Sequence, residues 1–600
     1  MLGGVWVEVS KCVCVVLAGH VSGELRIMAI GPLDFGGGSA AAAGVDAVAL
    51  DAAVADLRAG LSSWVELPLE ERVALLRAAR RRLGAEAAGM VAAGCAAQGV
   101  APGGPWAGEH WVTLAILAFH LKAFEDSLSG VAAGAEPLPS RAVHRRSDGQ
   151  VLVDVIPASR IHALLFSPWG LRGQVWMQRG VDEEQVRADA ARAYRGSGFE
   201  NPGVALVLGA GNFSFLPATD TVHMLVAEGC VVALKLNPLN AYLRPFLEGV
   251  FTDFVDRGWL RFVEESADTG AYLAHHPGID RLHMTGSAAT YDALVWGTGP
   301  DALRNRAEGT PRLDKPFTAE LGGVNPVIAV PGPWSDSDVR LQADRIAWTK
   351  AFACGHQCAA SQILVLPEGW PQSDALIQEI RTRMRALPAR TPYYPGTQDK
   401  VARALAGHPD AEPMAKGDRQ WLVTGLDPAA DESLFHDEVF ADVLGVVSLP
   451  APTVPEYLAA ATTFANERLA GNLASSVYVH PRTAKQHAAA VDRTIAGLRF
   501  GVVSVNEVPN YGMLTGHPTW GAFPGNTRED IASGIGTVGN GYLLAAPGKA
   551  VISAWFHPPV KPSGTASNQT MTAFGRGLMA YATTDDLRAL PGVVAAALRA

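Results

Sequence analysis

Two thiols and a histidine share the stretch "AFACGHQCAASQ" at residues 351–362, where Cys354 and Cys358 flank His356. Such a cluster could hold a metal ion, close a disulfide, or present one nucleophilic sulfur beside an inert neighbour. A four-ligand metal site needs more donors, and the chain has no second Cys/His cluster to supply them. A bridge between the two sulfurs is sterically feasible, yet it would block a nucleophile and nothing in the sequence requires it. A nucleophilic thiol has its own demand. At an ordinary pKa of ~8.5 only a few per cent is thiolate at neutral pH, so a base or oriented dipoles must stand beside it. Two segments offer such groups. In "KPFTAELGGVNPVIAV" (315–330), Glu320 precedes Gly322 and Gly323, and a carboxylate at a glycine-rich strand entrance can act as a base on a bound ligand. In "VLGAGNFSF", Asn212 stands on a turn whose amide N–H could stabilise an oxyanion. That turn has Gly209 and Gly211 but Ser214 where a dinucleotide fingerprint wants a third glycine, so a plain tight turn explains it equally well.

The elements that must hold these groups follow from the apolar pattern. Short apolar runs alternate with helical segments: "VALVLG" (204–209), a helix through "TDTVHMLVAEG", "CVVALKL" (230–236), a helix through "AYLRPFLEGVFTDFVDRG", then "LRFVEE" and "RLHMTG". That rhythm predicts a doubly wound parallel sheet, and "PVIAV" (326–330), a helix from about Ser337 and "QILVLP" (362–367) predict a second α/β domain. Earlier, Leu69, Val73, Leu76 and Leu83 mark one helix face, with Gly84 expected to end the helix. The chain has 600 residues, 48% hydrophobic and 18% charged, enough to bury several cores. Its net charge of -10 comes without a long basic run, which points away from nucleic acid. Six scattered cysteines make no disulfide framework and point to free thiols in a reducing compartment, the cytoplasm. The apolar run Cys12 to Ala18 is too short to cross a bilayer, which takes ~20 residues, and lacks the basic leader of a secretory signal. No membrane partner is expected.

Residues 1–45 read as an N-terminal extension, disordered or preceding a true start at Met28, with "FGGGSAAAAG" (35–44) as a flexible joint. Residues 46–319 form the expected cofactor domain, with a hairpin candidate in "RAVHRRSDGQVLVDVIP" (about 141–160), and residues 320–540 the expected catalytic domain. Residues 541–600 read as a strand, a Pro/Ser-rich joint and a short helix in "TDDLRALPGVVAAALRA".

Together, "ELGGVNP" and "FACGHQC" resemble the signatures of the aldehyde dehydrogenase superfamily, an E-L-G-G-K-x-P box and an F-x-N-x-G-Q-x-C box. Three further boxes agree in order: "HPGIDRLHMTGS" (276–287), "VVALKLN" and "HDEVFADV", so that the likeness runs from about Trp64 to about Asn540. The resemblance implies a Rossmann-type cofactor domain, an α/β catalytic domain and a small β bridging element. It implies Cys358 as nucleophile, Glu320 as water-activating base and Asn212 as oxyanion donor, with Cys354 at a variable position. It further implies that Lys235 binds the adenosine ribose, that Gly286 and Ser287 meet the pyrophosphate, and that Glu438 grips the nicotinamide ribose with Phe440 flanking the ring. The implied activity is oxidation of a small-molecule aldehyde to its acid with NAD or NADP, through a cysteine thiohemiacetal and thioester. No metal is implied. A homodimer or homotetramer is implied, paired through a bridging hairpin packed on a C-terminal strand.

The chain also departs from the pattern. Ala353, His356 and Val324 replace the usual Asn, Gln and Lys, and the late P-F-G-G-x-K-x-S-G segment is eroded near "WGAFPGN" (520–526). Pro238 stands where many NAD-preferring members carry a ribose-binding Glu, and without that carboxylate a 2′-phosphate meets no repulsion, so NADP becomes acceptable. Two other readings compete: a CoA-acylating relative, against which Glu320 argues, and a non-catalytic protein of the same fold.

Overall fold

The computed structural model describes residues 16–21, 24–29, 45–414, 420–559 and 570–599, and the chain divides into two units, Met1–Gly44 and Val45–Ala600. In the first unit, strands Val16–Val21 and Glu24–Ala29 pair antiparallel. The rest of that segment, on which the reading of residues 1–45 as disordered falls, lies outside the described residues, as does the Pro/Ser-rich stretch 560–569.

In the second unit, the apolar runs "VALVL", "VVALK", "LRFV", "RLHMTG" and "FTAEL" become five parallel strands: Val204–Leu208, Val231–Lys235, Leu260–Val263, Arg281–Gly286 and Phe317–Leu321. Taken in chain order as one to five they lie 3-2-1-4-5, and Gly534–Ile535 adds an antiparallel edge beside Phe317–Leu321. This is the Rossmann-type order. Its direction reverses between Val204–Leu208 and Arg281–Gly286, the switch point at whose carboxyl ends open α/β sheets bind their ligands.

A second sheet of eleven strands is centred on Asn325–Ala329, with Ser361–Pro367 on one side and Ala474–Tyr478 on the other. The chain crosses from the first sheet to the second at Gly322–Val324, so Glu320 stands at the seam between them. Beyond Val502–Val505 the same sheet continues through Pro547–Ser553, Arg172–Met177, Val151–Ile156 and Val143–Arg145. The bridging hairpin therefore exists, but it meets the C-terminal strand only through an intervening strand, "RGQVWM", that the sequence pattern did not reveal.

Two helical expectations need correction. The helix expected to stop at Gly84 runs from Leu69 to Ala97. Gly84 serves packing rather than termination: a Cβ there would come within 2.7 Å of the Thr583 hydroxyl. The partner helix, Met571–Thr584, was itself unanticipated and packs on Leu69–Ala97 and Ala107–Ala132. The single helix expected through "AYLRPFLEGVFTDFVDRG" is three short ones, Pro238–Leu243, Arg244–Val250 and Thr252–Asp256. Pro245 has no N–H to continue the first of these and instead occupies the opening turn of the second.

Candidate active site

Four groups of the site grow from the carboxyl edge of the first sheet. Asn212 lies on the turn after Val204–Leu208, between the strands that end in Lys235 and Gly286. The turn is held from outside: Asn240 Nδ2 donates to the Ala210 and Phe213 carbonyls at 2.9 and 3.0 Å, and the Tyr393 hydroxyl donates to the Asn212 carbonyl at 2.8 Å. Glu320 sits one strand further on, directly across from Thr285.

Cys358 comes from the opposite side, on the loop between the helix Asp336–Ala351 and the strand Ser361–Pro367. The loop turns sharply, with Ala353, Cys354 and Gly355 all left-handed at φ 52°, 56° and 71°. Two non-glycine residues in that region cost roughly 1–2 kcal/mol each, so the surroundings must enforce the conformation. They do so through backbone anchors. Asn325 Nδ2 donates to the Cys358 carbonyl at 2.7 Å and to the Ala360 and Gly323 carbonyls at 3.1 Å. Gln357 donates to the Thr349 carbonyl at 2.5 Å and accepts from Asn510 at 2.8 Å. Buried Glu109, paired with Arg390, accepts from the Ala353 N–H at 3.3 Å.

Asn212 Nδ2 donates to the His356 carbonyl at 3.1 Å, which brings the turn and the cysteine loop into one site. That bond uses one of two amide N–H bonds, and the other remains for a ligand. His356 donates from Nδ1 to the Phe440 carbonyl at 2.7 Å, and its ring packs against Tyr393, Tyr394 and Phe440. Burial lowers this imidazole to about 4, so it stays neutral and structural at pH 7.

The carboxylates are strongly perturbed. Burial pushes Glu320 up to about 7, opposed by the Cys358 thiol and the Trp520 indole beside it. Neither Glu320 oxygen has a partner at hydrogen-bond geometry among the described residues, so a small polar molecule would find both oxygens available. Burial likewise lifts Glu438 to about 7, against the pull of Lys400 and Lys350. Glu438 lies over Gly322, where any Cβ would collide with the carboxylate. Burial first, then the Glu320 charge, raises the half-buried Cys358 thiol well above its ordinary range. Asn212, Glu320, Cys358, Glu438 and Phe440 thus share one site, reached from two sheets.

Lys235, Gly286 and Ser287 lie apart from the sulfur, along the same carboxyl edge. Lys235 ends its strand, with Nζ 3.4 Å from the Leu236 carbonyl, and burial lowers its amine to about 8. Ser287 caps the helix Ala288–Val295 immediately after Gly286. A dinucleotide fits this edge. An amine and a helix start stand at the ends of the two strands that flank Val204–Leu208, and the buried Glu438 Oε1 has no partner among the described residues. Pro238 opens the short helix capped by Asn237 and brings no carboxylate to the edge. Asn325, Tyr393, Asn240 and Glu109 were not singled out in the sequence. Asn325 was visible within "ELGGVNP", but nothing in its type or spacing shows that it braces the thiol loop.

Neither Cys354 nor Cys358 is in a disulfide, and Cys354 directs its sulfur to the Thr391 carbonyl at 3.7 Å. Among the described residues, the group with metal-ligand spacing is Asp338, His480 and His557, elsewhere in the second unit. No described helix is long and apolar enough to cross a membrane.

Residues 177–399 match the model of the aldehyde dehydrogenase family. An N-succinylglutamate 5-semialdehyde dehydrogenase of Sphingopyxis alaskensis is 31% identical over 229 residues, 38% of this chain and 40% of that protein. One of the same name from Ectopseudomonas mendocina is 28% identical over 46% of this chain and 54% of its own length. The match thus spans about half or less of these relatives. The fold is similar along much more of the chain. An NAD-dependent aldehyde dehydrogenase from Sinorhizobium meliloti superposes with TM-score 0.55 at 19% identity, covering 84% of this chain and 86% of its own. An indole-3-acetaldehyde dehydrogenase complexed with NAD+ gives 0.57 at 17% identity, covering 90% and 92%.

Proposed function

From its place in the aldehyde dehydrogenase superfamily, we propose that this protein oxidises an aldehyde to the carboxylic acid with NAD or NADP, and releases the acid by hydrolysis. The observation that carries this reading is the buried Glu320 carboxyl, unpartnered and facing the Cys358 thiol. Cys358 Sγ attacks the aldehyde carbon while the free N–H of Asn212 and the Cys358 backbone N–H receive the oxyanion. Such a donor is worth roughly 3–4 kcal/mol. The raised thiol must lose its proton as it attacks, and the nearest base is Glu320. Lys235, Ser287 and Glu438 would hold a dinucleotide on the carboxyl edge, with Phe440 to flank its ring, and the bound cofactor would supply the hydride acceptor. Glu320, poised near 7, gives the thiol's proton up to solvent and then takes one from the water that opens the thioester, a base strength matched to neutral pH.

Semialdehydes head the candidate substrates because two relatives are named for one. Lacking a carboxylate at Pro238, the edge takes either cofactor. The free thiols suit a reducing, cytoplasmic setting. Assembly as a homodimer or homotetramer is part of the proposal. Within the chain, the second sheet joins the hairpin to the C-terminal strand through Arg172–Met177. The test is a panel of aliphatic, aromatic and semialdehyde substrates with each cofactor, read as nicotinamide absorbance, with products analysed with and without CoA. Reduction of either cofactor with CoA-independent acid is expected. No turnover, or an acyl-CoA product alone, would overturn the reading.

A further inference from the structure

The helix Leu216–Val226 packs on one face of the first sheet, where the interlayer should be apolar. Instead a polar seam runs through it. In the register of the parallel strands, Glu320 lies opposite Thr285 and Thr318 opposite His283, so these four side chains share a face. Asp220 and His223, one helical turn apart, cover them. All of the seam's titratable groups are buried: Asp220 is 0% exposed, Glu320 2%, His283 3% and His223 7%.

Contacts join the middle of this series and its outer end, and Glu320 and His223 both stand within reach of the Asp220 charge. Thr285 donates to Asp220 Oδ2 at 2.8 Å, and His283 Nε2 lies 3.7 Å from the same oxygen. The Thr318 hydroxyl, 3.4 Å from the Leu282 carbonyl, gives its proton there and accepts from His283 Nδ1 at 2.9 Å. That arrangement leaves the lone pair of His283 on Nε2, facing Asp220. His223 Nε2 lies 3.9 Å from Glu228, which is half-exposed and paired with Arg281 at 2.6 Å. His223, Glu228, Arg281 and Thr318 line a cavity of about 550 Å³ at the amino edge of the sheet, opposite the thiol. Asp220 Oδ1, His283 Nε2, His223 Nδ1 and both Glu320 oxygens have no hydrogen-bond partner among the described residues. One interruption of this kind in a sheet–helix interface would be ordinary, but a series of buried polar groups between the Glu320 carboxyl and a cavity asks for a use.

We propose that Asp220, His283 and His223 conduct the proton taken up by Glu320 during thioester hydrolysis to the cavity bordered by Glu228. This rests on the hydrolytic reading of Cys358 and Glu320. Water gives its hydroxyl to the acyl carbon and its proton to Glu320, and the C–S bond breaks. Glu320 passes the proton to the Asp220 carboxylate, Asp220 to His283 and His223, and His223 to Glu228 or cavity water, which returns Glu320 to its basic form. The gaps of 3.7 and 3.9 Å exceed a hydrogen bond, and a side-chain rotation or one bridging water closes each. The other groups facing the seam do not carry charge out of it. His120 donates to the Met513 carbonyl at 2.8 Å, and burial lowers it to about 4, while the Gly539 carbonyl stands beside His223.

The test uses 4-nitrophenyl acetate, an activated ester that acylates a competent thiol without cofactor. The burst of nitrophenolate reports acylation and the steady state reports hydrolysis. Asp220→Asn, His283→Gln and His223→Gln are expected to keep the full burst, slow the steady state about 10-fold or more, flatten its pH profile, and recover with added imidazole. Steady-state rates and pH profiles equal to wild type would overturn the seam. Equal loss of burst and turnover in Asp220→Asn together with normal turnover in His223→Gln would overturn it as well, by making Asp220 a positioning residue only. The underlying reading fails separately, if wild type shows no burst or if Cys358→Ala hydrolyses the ester as wild type does.

Discussion

Replacing Glu320 by glutamine should do two opposite things. It removes the base, so acyl-enzyme forms and hydrolyses slowly; general base catalysis is worth roughly 10²–10⁴-fold. It should also stabilise the fold above neutral pH. Burial lifts the carboxyl from its ordinary 4.5 to about 7 in a side chain 2% exposed. A folded pKa above the unfolded one means that the contribution to stability is complete below about pH 4.5 and is lost as pH rises through 7. At pH 8 the wild-type protein holds an ionised carboxylate that the unfolded chain would solvate better, a cost of about 3 kcal/mol. Glutamine bears no charge at either pH. Over a unit of this size, ~3 kcal/mol corresponds to a melting shift of about 2–3 °C. Scanning calorimetry should show the variant melting higher than wild type at pH 8 and level with it near pH 4.5, while the ester assay shows turnover collapse at pH 8 and little difference near pH 4.5, where the wild-type carboxyl is already protonated. A melting advantage independent of pH, or none at pH 8, would refute the claim that burial rather than a partner sets the state of Glu320.

Cys358→Ala should abolish cofactor reduction and the ester burst, while Cys354→Ala, which removes a sulfur directed at the Thr391 carbonyl, should leave both near wild type; mass spectrometry after labelling with a thiol electrophile checks which sulfur reacts. Asn212→Ala should lower kcat for aldehyde oxidation by about 10²–10³-fold through loss of one oxyanion donor, with the melting temperature as a control for the lost bond to His356. Pro238→Glu should bring a carboxylate to the ribose end of the edge and lower kcat/KM with NADP relative to NAD, measured with one aldehyde and both cofactors.

Four strands of the first sheet were legible as short, largely apolar runs between turn signals, and "RLHMTG" matches its strand end to end, whereas Phe317–Leu321 and the edge Gly534–Ile535 were not read as strands. Glu320, Asn212 and Cys358 were legible only as a set, since a carboxylate, an amide and a thiol have ordinary uses singly. Other features had no local signal. "RGQVWM" is a strand because Pro547–Ser553 lies beside it, a pairing across most of the chain. Gly84 reads as a helix stop until Thr583 is seen against it. The seam from Glu320 to Glu228 depends on the register between two strands and the rotation of one helix. His283 and Asp220 taken alone are simply polar residues within apolar runs.

The order of the eleven strands has a consequence for synthesis. Arg172–Met177 leaves the ribosome long before Pro547–Ser553, the neighbour that caps its open side. Through most of translation its N–H and C=O groups face water or a stray strand, an invitation to edge-to-edge aggregation. Chains cut short before residue 547 should therefore precipitate or cling to chaperones even with every residue around the thiol in place.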